Sequence, residues 1–407
     1  LGGAVARGEG RPGALRGGVT WLKLTVLLLA LGVTWFVTGW QNYTPELRLV
    51  VMCIAAGLGL DGVSDSFFAL CQARGRQDVE MRIRVPSALL GIGFGIACVL
   101  LDAPPIVIAL YKPVESLLCI VFALVALQRN PLAAVGVEGM KDLARHMKHG
   151  LIFTCMAGCA MFYNKINVIF LKQYGGNADV GGYGVAWETV EGLSVLVSSA
   201  LLGKVIFPLL AKLWQQDKDA FRQLAGQTAR SLWAASLPII FLICVESDRF
   251  LPLVYGPNYQ SAVTAQRLLT PCLATAFLHN LAAYAMIGMR QHRLLLGFYL
   301  TGLACNLICC FTLIPAMPLE GAALSLTITK VWVAVLTVGY FQWAARPMNL
   351  GQWSLMFLTC AVSIGLWWWV GFVARREVAE LAGLVPLLAL FWRWRPPAPF
   401  EKKAMQA

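Results

Sequence analysis

Charge is scarce in this chain of 407 residues: Asp, Glu, Lys and Arg make up 13%, about half the share usual for a soluble domain. Histidine is scarcer still, with His146, His149, His279 and His292 the whole set. No two of them are read as a metal pair. No Ser/His/Asp or Cys/His arrangement points to nucleophilic catalysis, and no Gly-rich phosphate loop follows a strand, so nothing resembles an ATP-driven pump. A cleavable signal peptide is not expected from residues 1–40. Long polar stretches are also missing, which leaves no room for a soluble catalytic domain. Catalytic residues, a metal and a cofactor are therefore not expected. The twelve cysteines lie almost all within apolar stretches. Cys155/Cys159 and Cys305/Cys309 are four apart on a helix, but no His or carboxylate joins either pair, so they read as packing residues rather than a disulfide framework or a metal pair.

What the chain does have is apolar residues, 58% of the total, with a mean hydropathy of +0.67. They fall into twelve runs: 21–40, 47–70, 83–101, 104–127, 149–172, 180–205, 229–246, 268–289, 294–314, 320–342, 353–373 and 379–393. Each is about 15–26 residues, enough to cross a hydrocarbon core of about 30 Å at about 1.5 Å per residue. The fold class is all-α, a polytopic transmembrane helix bundle. Trp21 and Trp40 bracket the first run, and Trp353 and Trp367 to Trp369 bracket the eleventh, as interfacial anchors.

A net charge of +12 would point to nucleic acid in a soluble protein. Here its distribution explains it. With the N-terminus placed in the cytoplasm, 24 of the 33 Lys and Arg residues lie in cytoplasmic segments, six lie outside, and Lys112, Lys165 and Lys330 lie within runs. The positive-inside rule then puts both termini in the cytoplasm, which requires an even number of spans. No nucleic-acid partner is expected.

The division that follows is a cytoplasmic segment at 1–20, an N-lobe of four spans at 21–127, a linker at 128–148, a C-lobe of six spans at 149–344, a C-terminal helix pair at 353–394, and a tail at 395–407. Residues 138–148 place Met140, Leu143 and Met147 on one face with bases around the rest, the pattern of a helix lying on the inner membrane surface. Residues 211–224 are a second, weaker case. The chain begins with Leu1, and residues 1–20 have the character of a loop leading into a helix, so the true start is expected upstream.

Eight ionisable residues fall within the spans: Asp61, Asp65, Lys112, Glu115, Lys165, Glu188, Glu191 and Lys330. Each costs about 2.5–3.5 kcal/mol at the bilayer centre on insertion scales, so they must face one another, the bundle interior or water. Lys165 is seven residues from the outer end of its helix and Glu188 is eight from the outer end of the next. Both sit about 10–12 Å deep, which predicts an ion pair. Asp61 and Asp65 share one helix face a turn apart. His279 and Asn280 are a further candidate lining pair. Structural salt bridges between helices are the alternative reading of the whole set.

Three motifs carry a resemblance. The first runs from Tyr163-Asn164-Lys165-Ile166-Asn167-Val168 through Val180-Gly181-Gly182-Tyr183 to Phe207-Pro208-Leu209-Leu210-Ala211. The second is Tyr255-Gly256-Pro257-Asn258-Tyr259, and the third is Asn306, Ile314-Pro315 and Gly321-Ala322-Ala323. In order and spacing, across about residues 150–345, they resemble polysaccharide flippases of the multidrug/oligosaccharidyl-lipid/polysaccharide exporter superfamily. Ala73-Arg74-Gly75-Arg76 adds to the match in the first part of the chain. Asn167 stands where that family usually has Asp, and family members commonly carry two further helices before the run at 21–40.

The resemblance implies a flippase of the bacterial inner (plasma) membrane. It would carry a lipid-diphosphate-linked oligosaccharide between leaflets by alternating access, with membrane lipids as partners and a coupling proton or cation. The expected cavity residues are Asp61, Asp65, Lys112, Glu115, Lys165, Asn167, Glu188 and Lys330. Lys165 and Lys330 would contact phosphate, and the acids would contact sugar hydroxyls or a coupling ion. A cation-coupled multidrug exporter is the second reading, favoured by the excess of intramembrane acids. A membrane-embedded glycan transferase or polymerase is the third, disfavoured by short outer loops.

Overall fold

The structure is a computed structural model and describes residues 12–73, 77–129, 140–196, 202–203 and 206–395. Every regular element among them is helical: α1 (Pro12–Trp40), α2 (Pro45–Ala73), α3 (Gln77–Leu100), α4 (Pro105–Ala109), α5 (Tyr111–Arg129), α6 (Met140–Leu196), α7 (Phe207–Gln216), α8 (Lys218–Tyr255), α9 (Ala262–Leu269), α10 (Pro271–Gly288), α11 (His292–Leu313), α12 (Pro318–Ala345), α13 (Leu350–Val373) and α14 (Arg376–Trp394). Helices satisfy their own backbone donors and acceptors, which is what a chain in lipid requires.

By length and apolarity ten helical stretches can cross a bilayer, with Leu151–Val195 counted as one. That stretch holds two of the twelve runs. They separate at Gly176, whose φ of 83° and ψ of −169° break α6. Such a φ is cheap only without a Cβ. The twelfth run is α14, and the fourth is split into α4 and α5 at Leu110. Of the stretch expected as a surface helix, residues 138–139 lie outside the described residues and residues 140–148 are helical. From Met140 onward the chain is already α6, and Gly176 is its only break. Residues 130–139 lie outside the described residues, as do most of the N-terminal segment and the C-terminal tail.

The chain divides into two compact units, Leu1–Gly150 and Leu151–Ala407. In the first, α1 packs on α2, and α2 and α3 both pack on α5. Glycines permit two close approaches to α5. A Cβ at Gly57 would lie 2.7 Å from the Pro113 nitrogen, and one at Gly91 would lie 2.6 Å from Cβ of Glu115. The apolar core here is small: Phe67, Phe68, Cys71, Ile83, Cys119 and Ala123.

The second unit has the larger core, in which Leu171, Tyr183, Trp187, Phe221, Leu273, Phe277 and Leu326 are buried. Asp217 caps α8 by accepting hydrogen bonds from the Asp219 and Ala220 backbone nitrogens. The short helix α7 packs on α8 and α10, buries Leu210, and sets Trp214 edge-on to Phe221. α13 and α14 form a hairpin against α8 through Phe241, Met356, Leu387 and Leu390. Many exposed residues are large and apolar, with Leu28 70%, Phe36 71%, Phe372 71% and Leu381 64% exposed. That inverts the soluble pattern and suits a hydrocarbon solvent.

Candidate functional site

The intramembrane charges settle into three groups. In the first unit Lys112, at the second position of α5, lies 2.7 Å from Asp61 Oδ2 on α2 and 2.9 Å from Glu115 Oε2 one turn along its own helix. Its side chain is only 14% exposed. Ser116 completes the knot: its hydroxyl lies 2.7 Å from Asp61 Oδ1 and 2.9 Å from the Gly57 carbonyl. The absence of side chains at Gly57 and Gly91 is what lets α5 come close enough for these contacts.

Asp65, one turn further along α2, is turned to a different partner. Arg84 of α3 donates to it, bridges to Glu80 at 3.2 Å, and lies over the Phe68 ring at 4.5 Å. Lys23 of α1 donates to the Gly62 carbonyl between the two aspartates. Asp61 and Asp65 therefore share a face but belong to separate networks. Arg84, Glu80 and Ser116 were not among the expected site residues. Arg84 was counted with the cytoplasmic bases, and a serine one turn from Lys112 carries no sequence signal of its own.

In the second unit the expected Lys165–Glu188 ion pair is not among those of the described residues. Both side chains are exposed, and Lys165 lies 5.7 Å from the centre of the Trp187 ring. Lys330 pairs instead with Glu191, at 3.4 Å, and lies 4.3 Å from the same ring. Glu191 was counted among the intramembrane charges but not among the cavity residues. It is the acid that faces a polar pocket of about 220 Å³, whose walls include Tyr163, Asn164, Ser194, Thr275, His279, Asn280, Tyr299 and Lys330. Asn164 Oδ1 and Trp187 Nε1 are buried with no hydrogen-bond partner among the described residues.

His279 and Asn280 line this pocket. The imidazole is engaged on both sides, Nδ1 with the Thr337 hydroxyl at 3.0 Å and Nε2 with the Tyr299 hydroxyl at 3.2 Å. It thus serves as a packed hydrogen-bonding residue and has no ring nitrogen left for a ligand. Asn167 lies away from any opening. It is fully buried, and its amide donates to the Tyr183 hydroxyl and to the Ala322 carbonyl at 3.2 Å, tying the two arms of α6 to α12. A neutral amide suits that position better than a carboxylate, because no base lies against it to offset the desolvation of a charge.

Among the described residues no group of three or more His, Cys, Asp or Glu side chains could hold a metal. What the arrangement offers is internally compensated charge, one polar pocket, and one exposed lysine without a carboxylate at ion-pair distance among the described residues, Lys165.

Comparisons with known proteins agree with this picture. Residues 19–264 match the family described as "Polysaccharide biosynthesis protein". Among solved structures the chain is similar to the lipid II flippase MurJ in an inward closed conformation, at a TM-score of 0.67 and 9% identity, covering 96% of this chain and 85% of that one. It is also similar to a MATE protein in complex with MaL6, at a TM-score of 0.55 and 13% identity, covering 82% and 79%. No curated protein matches. At such identities the solved structures establish a shared fold, a polytopic helix bundle. The match over more than half its length establishes the rest: the chain belongs to the polysaccharide biosynthesis protein family.

Proposed function

We propose that this protein is a flippase that moves a lipid-diphosphate-linked oligosaccharide from the inner to the outer leaflet of a bacterial plasma membrane, with both termini in the cytoplasm. The reading is one of transport by alternating access, without bond chemistry on the substrate. A lipid II flippase shares the fold, and the family is one of polysaccharide biosynthesis.

The observation that carries the reading is Lys165. A lysine roughly halfway along a membrane helix, exposed and unmatched by a carboxylate among the described residues, is costly against lipid. It makes sense facing a watery cavity where an anionic group binds. Lys112 and Lys330 are already neutralised by Asp61, Glu115 and Glu191, so Lys165 is the base left to meet a diphosphate. Glu188, also exposed, would accept from sugar hydroxyls.

The test is flipping of a fluorescent lipid-diphosphate oligosaccharide in proteoliposomes, read by its exposure to a membrane-impermeant reductant. Lys165→Met is expected to slow flipping about tenfold, the equivalent of one lost charge-assisted contact of about 1.4 kcal/mol. Lys165→Arg should recover most of the rate, and melting temperatures should match the wild type. Full activity in folded Lys165→Met would remove the residue from the reading.

A second reading, cation-coupled export of small drugs, draws on the fold likeness to a MATE protein and on five intramembrane acids against three bases. It predicts that collapsing the ion gradient abolishes transport of cationic dyes, and that Asp61→Asn or Asp65→Asn does the same.

A further inference from the structure

The pocket around Glu191 gathers several oxygen donors among apolar walls that include Ala160, Val195 and Val333. Glu191 contributes a carboxylate, Asn164 a buried amide oxygen without a partner, and Tyr163, Ser194 and Thr275 their hydroxyls. One carboxylate among neutral oxygens is the donor set of a site for a small monovalent cation. The other titratable groups facing Glu191 cannot balance it. Tyr163 and Tyr299 are neutral phenols, and the His279 ring is held between two neutral hydroxyls. Among the described residues the cation at the carboxylate is the Lys330 ammonium, brought in from α12.

Its geometry is loose. At 3.4 Å the contact is longer than a tight ammonium–carboxylate bond of about 2.8 Å, and the other side of the ammonium lies against Trp187 at 4.3 Å. The pocket has room for waters beside it. We propose that Lys330 is a tethered cation: its ammonium fills a monovalent-cation position at Glu191, so that the wild-type pocket takes no free ion. Removing the amine while keeping Glu191 would leave a charged carboxylate, an unpartnered amide oxygen and hydroxyls, a vacancy that sodium fits. The inference concerns this pocket alone. It stands whether or not the transported substrate is a lipid-linked oligosaccharide, because its readout is stability and not transport.

The experiment is thermal unfolding of the full-length protein, purified in sodium and then compared in sodium chloride and choline chloride at equal ionic strength. The wild type is expected to melt at the same temperature in both. Lys330→Met and Lys330→Gln, run in parallel, should melt lower in choline and recover by at least about 2 °C in sodium, saturably, as a site that binds only the folded state requires. The double variant Glu191→Gln/Lys330→Met should lose that response. Saturable sodium stabilisation of the wild type that Glu191→Gln removes would overturn the proposal, since the pocket would then hold its own ion. Folded single variants that ignore sodium would also overturn it. So would failure of both single variants to fold in sodium, because a free ion would then not replace the ammonium.

Discussion

Lys112 is held by two carboxylates from different helices, and the balance of that knot is uneven. Removing the lysine leaves Asp61 and Glu115 facing each other without a cation, whereas removing Asp61 still leaves Lys112 its contact to Glu115. Lys112→Met is therefore expected to cost about 3 kcal/mol and Asp61→Asn appreciably less, the larger figure reflecting an uncompensated partly buried charge. The double variant should cost less than the sum of the two. A double-mutant cycle on unfolding free energies in detergent checks this, and additive costs would mean the groups are not coupled. The sequence made these residues visible as a set, since any charge inside an apolar run needs a partner. It did not make the pairing visible. Depth along a helix comes from counting residues, and Lys165 and Glu188 do match in depth. Direction around the helix depends on how neighbours pack, and three residues on from Glu188 the helix presents Glu191, which is the residue that meets Lys330. Asn167 was hidden for the same reason: its motif could be recognised, but its burial between Tyr183 and Ala322 could not.

At the scale of elements, the end of α8 and the start of α14 are joined by an arginine clasp. Arg376 donates to both Asp248 oxygens at 2.6 and 2.8 Å, to Glu380 at 2.7 Å and to the Val245 carbonyl at 2.7 Å. Arg267 adds a contact to Asp248 at 3.1 Å, and Arg249 reaches Glu377 at 3.0 Å. A planar fork that satisfies four acceptors cannot be copied by a point charge. Arg376→Lys should therefore loosen the C-terminal hairpin although the charge is kept. Its side chain is 37% exposed, so the cost is screened to about 1 kcal/mol. Faster amide exchange confined to α14 and the end of α13 is the measurement that would show it, and unchanged exchange would deny the clasp a role. The Glu377 carboxyl is held below its usual range by a backbone hydrogen bond at the start of α14 and by Arg249. A depressed carboxylate contributes above its unfolded pKa, so this part of the clasp is lost as the pH falls below the ordinary carboxylate range. The helices themselves were legible as apolar runs of membrane length. Their joints were not. A Gly-Gly pair at 175–176 reads as a loop between two spans, yet the helix continues to that point and turns on one residue of positive φ. A period of 3.6 at 138–148 likewise marks helicity and amphipathicity without saying where the neighbouring helix begins, and from Met140 the chain runs on as α6.

Across the whole molecule, the two ends of the second unit differ in charge. Three contacts bring one set of helix ends together: Gly288 of α10 lies against Ala211 of α7, Gly226 of α8 against Pro347, and Ser231 of α8 donates to the Trp394 carbonyl at 2.8 Å. This end exposes Lys212, Lys218, Arg222, Arg290, Arg293, Arg346, Arg393 and Arg395 against Asp217 and Asp219. The opposite helix ends carry Glu246, Asp248, Glu320, Glu377 and Glu380 beside Arg249, Arg267, Arg375 and Arg376. The asymmetry read from alternate gaps thus reappears as a property of the folded unit, because each crossing of the membrane returns the chain to the other side. The positive-inside rule predicts that the basic end is cytoplasmic. Fusions test this directly. A fluorescent protein that matures only in the cytoplasm should light up when attached after Ala407 or inserted after Arg346, and a phosphatase that folds only outside should be active when inserted after Gly256, at the turn between α8 and α9. The reverse pattern would invert the protein and, with it, the direction of transport proposed above. A mixed pattern, with Ala407 and Arg346 on opposite sides, would mean that α13 and α14 do not both span. That outcome is the sharper risk, because α14 is the one run that falls outside the ten stretches long and apolar enough to cross. Its outer end is nonetheless fixed to α8 by the Arg376 clasp and its inner end by Ser231. A helix tied at both ends to a 38-residue partner helix is expected to cross beside it, so the fluorescent fusions at Ala407 and Arg346 should agree.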